Sequence, residues 1–279
     1  MSVFPFEDHY GDVLGKARFG LGLTPADAAR RAGLATAEVA ALEAGPEGPD
    51  EAQVRALAAV LELAPDRLAA FASRPGEPRL LAPSLPFVRI PVEEGFTMNA
   101  YVFADPEARR AAIVDPGGDL PAIKSAVERL GAEPAAILLT HAHADHVGAL
   151  EEALALWNAP AYALEAERRR FGGLAGRVKF LPADAALTIG TTELRVLPVP
   201  GHTAGMAAFL LPAAGVAFVG DALFARSLGR AEAPGEPYAV LRAGVRARLL
   251  SLPPATILCP GHGPLTTAGD EARLNPCFP

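Results

Sequence analysis

The stretch that decides how this chain is interpreted is Thr140-His141-Ala142-His143-Ala144-Asp145-His146. It directly follows an apolar run over 135–139, which predicts a buried strand. His141 and His143 are two residues apart at the end of that strand, so their side chains would point to the same side and could bind one metal ion. Asp145 and His146 come after a predicted bend and could reach a second ion.

Three more candidate ligands follow on turns that contain glycine, namely His202, Asp221 and His262. The set then holds five of the six histidines of the chain together with two aspartates. A tetrahedral zinc ion usually takes four ligands. Seven ligands with one shared carboxylate would therefore hold two divalent ions, zinc first, with iron or manganese as alternatives. One histidine alone could be an ordinary hydrogen-bonded side chain, but the whole set indicates a metal centre.

Composition narrows the class of protein. The chain has 279 residues, 51% hydrophobic and 20% charged, which is enough for one large domain and a small one. A net charge of −7 argues against unspecific nucleic-acid binding. The longest apolar run, 206–219, is interrupted by Pro212 and Gly215 and predicts two strands instead of a membrane span. Two cysteines make no disulfide framework and the first residues carry acids, so the sequence predicts a cytoplasmic protein without a membrane partner.

Three regions are predicted along the chain. Residues 1–73 have helical periodicity and form a small all-α domain. Residues 74–86 form a linker, because the five prolines from Ser73 to Pro91 exclude a regular helix. Residues 87–279 alternate strands with helices, and every candidate ligand lies at or just after the end of a strand, where layered α/β proteins present their chemistry.

The N-terminal region carries the pattern of a helix-turn-helix. Thr24 precedes Pro25 as a predicted N-cap, Gly33 ends that helix at a turn, and a second helix is predicted over 36–44. Residues 9–72 resemble the lambda-repressor-like helix-turn-helix family. The residues that carry this resemblance are Leu14-Gly15-Lys16-Ala17-Arg18, Gly22-Leu23-Thr24, Ala28-Ala29-Arg30-Arg31-Ala32-Gly33-Leu34, Val39, Leu42-Glu43 and Gly45. The resemblance implies that helix 36–44 would read the major groove of DNA.

The predicted recognition helix is poorly equipped for that role. Its exposed positions are expected to be Thr36, Ala37, Glu38, Ala40 and Ala41, none of which is a residue type that commonly binds base edges or phosphates. Residues 1–75 contain seven Lys and Arg against eleven Asp and Glu, a balance of −4, which is the wrong sign for DNA. The sequence therefore favours a structural or dimerising role, such as a homodimer, over specific DNA binding.

A second resemblance covers nearly all of residues 87–279. It is carried by Asn99-Ala100-Tyr101, Ile113-Val114-Asp115-Pro116-Gly117-Gly118-Asp119, the 140–146 cluster, Pro200-Gly201-His202-Thr203, Gly220-Asp221-Ala222-Leu223-Phe224, Gly229-Arg230, Pro260-Gly261-His262-Gly263-Pro264 and Asn275-Pro276. These motifs resemble the metallo-β-lactamase superfamily, an αββα sandwich, and within it the glyoxalase II-like hydrolases.

The resemblance implies how the ligands divide. One ion would be held by His141, His143 and His202 and a second by Asp145, His146 and His262, with Asp221 bridging both. Asp115 would orient a ligand histidine, although a strand-end aspartate before a Pro-Gly turn is also an ordinary structural feature. A metal-bound hydroxide would attack a thioester or ester carbonyl, which makes Asp145 and Asp221 catalytic residues as well as ligands.

The substrate is predicted less sharply. Arg226 and Arg230 follow the bridging Asp221 closely and could bind a substrate carboxylate, or could be ordinary ion-paired arginines. The family commonly continues after Gly229-Arg230 with Thr or Ser and then Asp, where this chain has Ala231-Glu232, so preference for thioesters is open. Dedicated glyoxalase II enzymes hold glutathione with a C-terminal helical domain. This chain ends soon after His262, and its substrate pocket is expected to be built otherwise.

Two alternatives from other functional classes remain. The same motifs also resemble the persulfide dioxygenases of the superfamily, which would use a single iron at positions like His141, His202 and Asp221. A non-enzymatic alternative is a regulator in which the metal domain controls the helix-turn-helix. A β-lactamase is disfavoured, because His146 and Asp221 stand where zinc β-lactamases commonly carry other ligands.

Overall fold

The computed structural model describes residues 5–45, 48–74, 76, 85–93 and 97–279. Most of the predicted linker over 74–86 lies outside the described residues. The described part of residues 5–74 is a group of short helices, hereafter the helical unit. Its helices are α1 Tyr10–Gly20, α2 Pro25–Ala32, α3 Thr36–Glu43, α4 Glu51–Val60 and α5 Pro65–Ser73. Thr24 caps α2 through its side chain, and Gly33 ends that helix in the left-handed conformation, as the sequence predicts.

The first sheet has six strands in chain order. They are β1 Phe87–Val92, β2 Met98–Asp105, β3 Arg110–Val114, β4 Glu133–Leu138, β5 Ala161–Leu164 and β6 Val178–Leu181. The first three strands pair antiparallel, and the pairs from β3 to β6 are parallel. Parallel strands need helical crossovers, which α6 Leu120–Leu130 and α8 Leu150–Trp157 supply.

The second sheet also has six strands. They are β7 Ala186–Ile189, β8 Thr192–Pro198, β9 Ala207–Leu211, β10 Val216–Gly220, β13 Ile257–Pro260 and β14 Thr266–Thr267, in the spatial order β14-β13-β10-β9-β8-β7. A short hairpin of β11 Leu223–Phe224 and β12 Ser227–Leu228 follows β10. Two helices complete this half, α9 Glu236–Arg248 and α10 Ala268–Leu274.

The two sheets form the middle layers of an αββα sandwich. Phe103, Phe209 and Phe218 belong to the core between the sheets, and the rings of Phe103 and Phe218 stack 5.7 Å apart. Alternate residues such as Val102 face α6 and α8 on the outer side of the first sheet, because successive side chains of a strand point to opposite faces. The predicted fold class is therefore what the structure of residues 87–279 shows.

The helical unit shares its core with the outer face of the second sheet. One continuous group of buried residues includes Leu14, Leu57 and Leu68 of the helical unit together with Val219 and Leu241. The end of α1 lies so close to α9 that a Cβ on Gly20 would be 2.3 Å from the Tyr238 ring. The predicted boundary between the two regions is thus crossed by a common core.

One local prediction needed correction. The bend expected before Asp145 and His146 is a single helical turn, α7 Ala144–Val147, with His143 at its N-cap. The segment after Leu164 is a kinked 3-10 helix over Glu165–Arg177. None of the described helices combines the length and the apolar composition that a membrane crossing requires.

Candidate metal centre

The seven predicted ligands converge at the ends of strands from both sheets. His141 and His143 follow β4 and Asp145 and His146 lie on α7, all from the first sheet. His202, Asp221 and His262 follow β8, β10 and β13 of the second sheet. The sandwich therefore brings together residues that are up to 121 positions apart in the chain.

Three imidazoles form what we call the first group: His141, His143 and His202. The Nδ1 atom of His143 is 3.0 Å from His141 Nε2 and 2.9 Å from His202 Nε2. A ring nitrogen that faces two others can share a hydrogen with only one of them, so this cluster satisfies its nitrogens fully only around a cation. Nitrogen ligands in this number suit zinc or a similar transition ion.

Asp145, His146 and His262 form the second group. His262 Nε2 lies 3.3 Å from Asp145 Oδ2 and His146 Nε2 lies 3.7 Å from the same oxygen. Asp221 lies between the groups, with Oδ2 at 3.4 Å from His262 Nε2 and 3.6 Å from His202 Nε2. The Asp221 carboxylate therefore contacts histidines of both groups.

Two buried atoms show that the donor set fits metal ions. His146 Nε2 and Asp221 Oδ1 lie 3.3 Å apart, and neither forms a hydrogen bond. Buried polar atoms in native proteins almost always have a partner, and an atom without one commonly marks the place of an ion. Both atoms belong to predicted ligands and face the interior of the cluster.

Hydrogen bonds from Nδ1 orient two of the histidines. Nδ1 of His202 donates to the Arg230 carbonyl at 2.7 Å, and Nδ1 of His262 donates to the Thr97 carbonyl at 2.7 Å. Because a carbonyl can only accept, these bonds leave Nε2 to face the cluster, which is the arrangement typical of metal-binding histidines.

Asp115 lies against two of the candidate ligand histidines, where the predicted orienting role would place it. Its Oδ2 lies 2.9 Å from His146 Nδ1 and also accepts from the Thr140 hydroxyl, which in turn lies 3.0 Å from His141 Nδ1. The Thr140 amide donates to Asp115 Oδ1, the second oxygen of the same carboxylate. Asp115 has φ of 48°, in the left-handed region that most non-glycine residues avoid and that aspartate tolerates better than most. Both oxygens of Asp115 are therefore engaged by Thr140 and His146, and Asp115 also forms a compact group with His141 and His146.

Glu167 is a residue of the site that the sequence analysis missed. Its buried carboxylate accepts hydrogen bonds from the Ala142 amide on one ligand loop and from Thr203 Oγ1 and the Gly205 amide on another. It therefore ties the loop of His141 and His143 to the loop of His202.

Glycine at position 261 allows the second group to close. A Cβ on Gly261 would be 2.2 Å from Asp221 Oδ1 and 2.6 Å from His146 Cε1. Gly229 similarly lies against the Asp221 carbonyl. Gly261 and Gly229 are therefore required by close approach to Asp221.

The ionisation of the two groups differs. Burial lowers the pKa of His141 well below its usual value, and the neighbouring His146 adds to this effect. Burial opposes protonation of His146 as well, but Asp221 and Asp115 outweigh it and raise its pKa to about 10. For His262, hydrogen bonds with Asp145 and Asp221 overcome burial and raise the pKa to about 11.

The two arginines predicted to bind substrate have different surroundings. Arg226 has the surroundings of the ion-paired alternative, because its guanidinium pairs with the fully buried Glu271 and its backbone amide donates to the same carboxylate. Its charge is therefore already neutralised within the fold. Arg230 is exposed, stacks over the Phe19 ring at 4.4 Å, and supplies the carbonyl that holds His202.

Comparison with known proteins identifies the family. The family model described as "Metallo-beta-lactamase superfamily" matches residues 95–262, and the chain belongs to this superfamily, whose members are mostly hydrolases. The probable metallo-hydrolase YqgX of Bacillus subtilis is 35% identical over 193 residues, covering 64% of this chain and 90% of that protein. The hydroxyacylglutathione hydrolase GloC of Haemophilus influenzae is 34% identical over 204 residues, covering 67% and 95%.

Solved structures show the same fold with several functions. BLEG-1, a B3 metallo-beta-lactamase, is 36% identical with a TM-score of 0.61, covering 68% of this chain and 98% of its own. TTHA1623, crystallised in a di-iron-bound form, is 35% identical with a TM-score of 0.58 and the same coverage. ETHE1 from Myxococcus xanthus is 25% identical with a TM-score of 0.59, covering 68% and 83%.

Proposed function

We propose that this protein is a dinuclear metal hydrolase of the glyoxalase II-like type that cleaves a thioester, or an ester, of a small molecule. The observation that carries the proposal is the position of Asp221, whose carboxylate lies between two separate groups of candidate ligands. The similarity to GloC supports the thioesterase activity, and the di-iron form of TTHA1623 supports two ions.

Two divalent ions, zinc in the first instance, would supply Lewis acidity and an activated water at neutral pH. The protein's own residues would do the positioning. Asp221 neutralises charge between the groups, and Asp145 lies on the more open side, with 24% of its side chain exposed. The half-buried edge formed by His143, Asp145 and His262 is where a carbonyl would enter. A thiolate leaves readily, so no strong general acid is required.

Arg230 is the substrate-binding residue in this proposal. It is exposed, and no carboxylate pairs with it among the residues that the structure describes. The backbone carbonyl of Arg230 accepts a hydrogen bond from His202, so the Arg230 side chain starts from a residue that directly contacts a candidate ligand. A guanidinium there would bind a substrate carboxylate through two hydrogen bonds.

The deciding experiment measures metal content and activity together. Protein purified without added metal is assayed for zinc, iron and manganese, and then tested with a 2-hydroxyacyl thioester of glutathione, a β-lactam and glutathione persulfide. Two metal equivalents with thioester hydrolysis are expected. One iron equivalent with thiol-dependent oxygen uptake would replace the proposal by a persulfide dioxygenase, as the similarity to ETHE1 would then suggest.

We also propose that the helical unit has a structural role rather than a DNA-binding one. In α3, Thr36, Ala37, Ala40 and Ala41 are exposed, whereas Glu38 caps the helix start through the Ala35 amide. The full chain is expected to bind duplex DNA weakly and without sequence preference in anisotropy titrations at two salt concentrations. A tight, salt-sensitive and sequence-selective complex would favour the regulator instead. The mass of the protein in solution tests the predicted homodimer.

A further inference from the structure

The helical unit contacts the metal-binding loops directly. Lys16 of α1 donates to the Leu228 carbonyl at 3.1 Å, lies over the Phe224 ring at 4.7 Å and pairs with Asp8. Phe224 in turn contacts the ring of His262, with centroids 5.7 Å apart. Helix α1 is thereby anchored on the β11–β12 hairpin beside the second group.

The N-terminal approach to α1 covers the turn after His262. A Cβ on Gly263 would be 2.7 Å from Glu7 Cβ and 3.0 Å from the Glu7 amide nitrogen. Contacts this close mean that the residues before α1 pack on the backbone of a ligand loop. The helical unit therefore forms part of the wall around the metal centre.

A cavity of about 370 Å3 lies between α1 and Arg230, the residue whose carbonyl accepts a hydrogen bond from His202 Nδ1. Its lining includes Gly15, Phe19 and Glu43 of the helical unit and Arg230 of the metal-binding half. This volume is within the range of small-molecule sites. A larger cavity, about 460 Å3, lies by α5. None of the described residues that line it is a candidate metal ligand, and none of them forms a hydrogen bond with a candidate ligand histidine.

Three cationic side chains, Lys16, Arg18 and Arg230, and two carboxylates, Asp12 and Glu43, line the 370 Å3 cavity. Asp12 accepts a hydrogen bond from the His9 amide. Lys16 pairs with Asp8, and Arg18 forms a two-point ion pair with Glu43. Arg230 stacks on Phe19 and, within the described part of the chain, has no acidic partner. One cation on an aromatic surface is thus left to bind a carboxylate.

We infer that this cavity binds the thiol half of the substrate, and that this half is a flexible group carrying a carboxylate, such as a small peptide thiol. The inference rests on the proposed function, because it places the leaving group of the thioester beside His202. It assigns α1 a function in substrate specificity that the helix-turn-helix resemblance does not imply. Phe19 and Gly15 become specificity residues that touch neither metal group.

The test fills the cavity from Gly15. A Cβ at this position would meet Glu43 Oε2 at 3.7 Å, an ordinary contact, so Gly15→Ala serves as the matched control and Gly15→Leu as the blocking variant. Both replacements also favour the helix over glycine. Two substrates are compared, with the same 2-hydroxyacyl group on glutathione and on uncharged N-acetylcysteamine.

The expected result is selective. Gly15→Leu should raise KM for the glutathione thioester about tenfold or more, the effect of losing one charged hydrogen-bonded contact. KM for the N-acetylcysteamine thioester and the metal content should stay at wild-type values, and Gly15→Ala should behave like the wild type. Phe19→Leu should give a smaller increase in the same direction. Equal changes for both substrates, or none, would overturn the inference.

A binding measurement separates this inference from the proposed function. S-methylglutathione, which cannot be hydrolysed as a thioester, is titrated calorimetrically into the wild type and Gly15→Leu. Binding that is lost in the variant supports the cavity even if neither thioester is cleaved, in which case only the proposed hydrolysis fails. Equal binding to both proteins would refute the cavity while leaving hydrolysis intact.

Discussion

The two ligand groups are built from similar side chains but are held differently. The first group contains three imidazoles and no carboxylate of its own, and the loops that carry it are joined through Glu167. The second group includes Asp145 and is supported by Asp115 behind His146. The imidazoles of the first group are neutral at neutral pH and can bind a cation directly. In the second group, His146 and His262 are protonated, so binding a cation there must release protons.

The largest effect is expected where the groups meet. Asp221→Ala should lower the metal content from about two ions per chain to fewer than one, because the shared carboxylate neutralises charge in both groups. Turnover should fall about a thousandfold or more, since metal ions stabilise the transition state by several kcal/mol. Metal analysis and steady-state rates check both statements. A variant that kept two ions and its rate would remove Asp221 from the bridging position.

Loss of one ligand from the second group should leave the first group able to bind its ion. His262→Ala is expected to retain about one ion per chain, because the first group does not include this residue. The matched control is His9→Asn, which changes the one histidine outside the set and keeps an N-cap at α1. Metal analysis of both variants decides. Loss of both ions, or of neither, would show that the groups are not separate.

The groups should also respond differently to pH. The raised pKa values of His146 and His262 mean that both are protonated in the metal-free protein below about pH 10, so metal uptake there displaces two protons. Zinc affinity of the second group should therefore fall about 100-fold for each unit by which pH is lowered from 8 to 6. The lowered pKa of His141 keeps the first group available over the same range. Calorimetric titrations with zinc at several pH values also count the released protons. They should show that zinc affinity depends steeply on pH for the second group and only weakly for the first.

The smallest effect is expected from the supporting carboxylates. Asp115→Asn should weaken mainly the second group and Glu167→Gln mainly the first, each about 10- to 100-fold in metal affinity. Both replacements keep the size of the side chain, and thermal unfolding controls for loss of fold. The test is that each variant lowers the metal affinity of a different group, because general destabilisation would lower the affinity of both groups equally.

Strand periodicity predicts the alternation of strands and helices and places each candidate ligand at or just after a strand end. The sandwich and the division of the ligands into two groups were implied by the resemblance that the motifs of residues 87–279 carry. Asp115 could be found for the same reason, since it directly follows β3.

The rest depends on contacts that no local pattern encodes. Glu167 stands before three consecutive arginines and has the appearance of a solvated charge, although the fold buries it completely. Arg226 looked available because its partner Glu271 is 45 residues away. The contact between Lys16 and the Leu228 carbonyl spans 212 residues, so the docking of the helical unit beside the site could not be predicted from sequence.

The common core of the helical unit and the second sheet also determines when the chain can finish folding. The Ala64 amide donates to the Pro276 carbonyl, and Arg67 donates to the Phe278 carbonyl. A ribosome releases the helices before these partners, so the helical unit completes its packing only after residues 276–278 have been synthesised. Until then the apolar faces of α1 and α5 are available to chaperones, and a stalled chain would expose them.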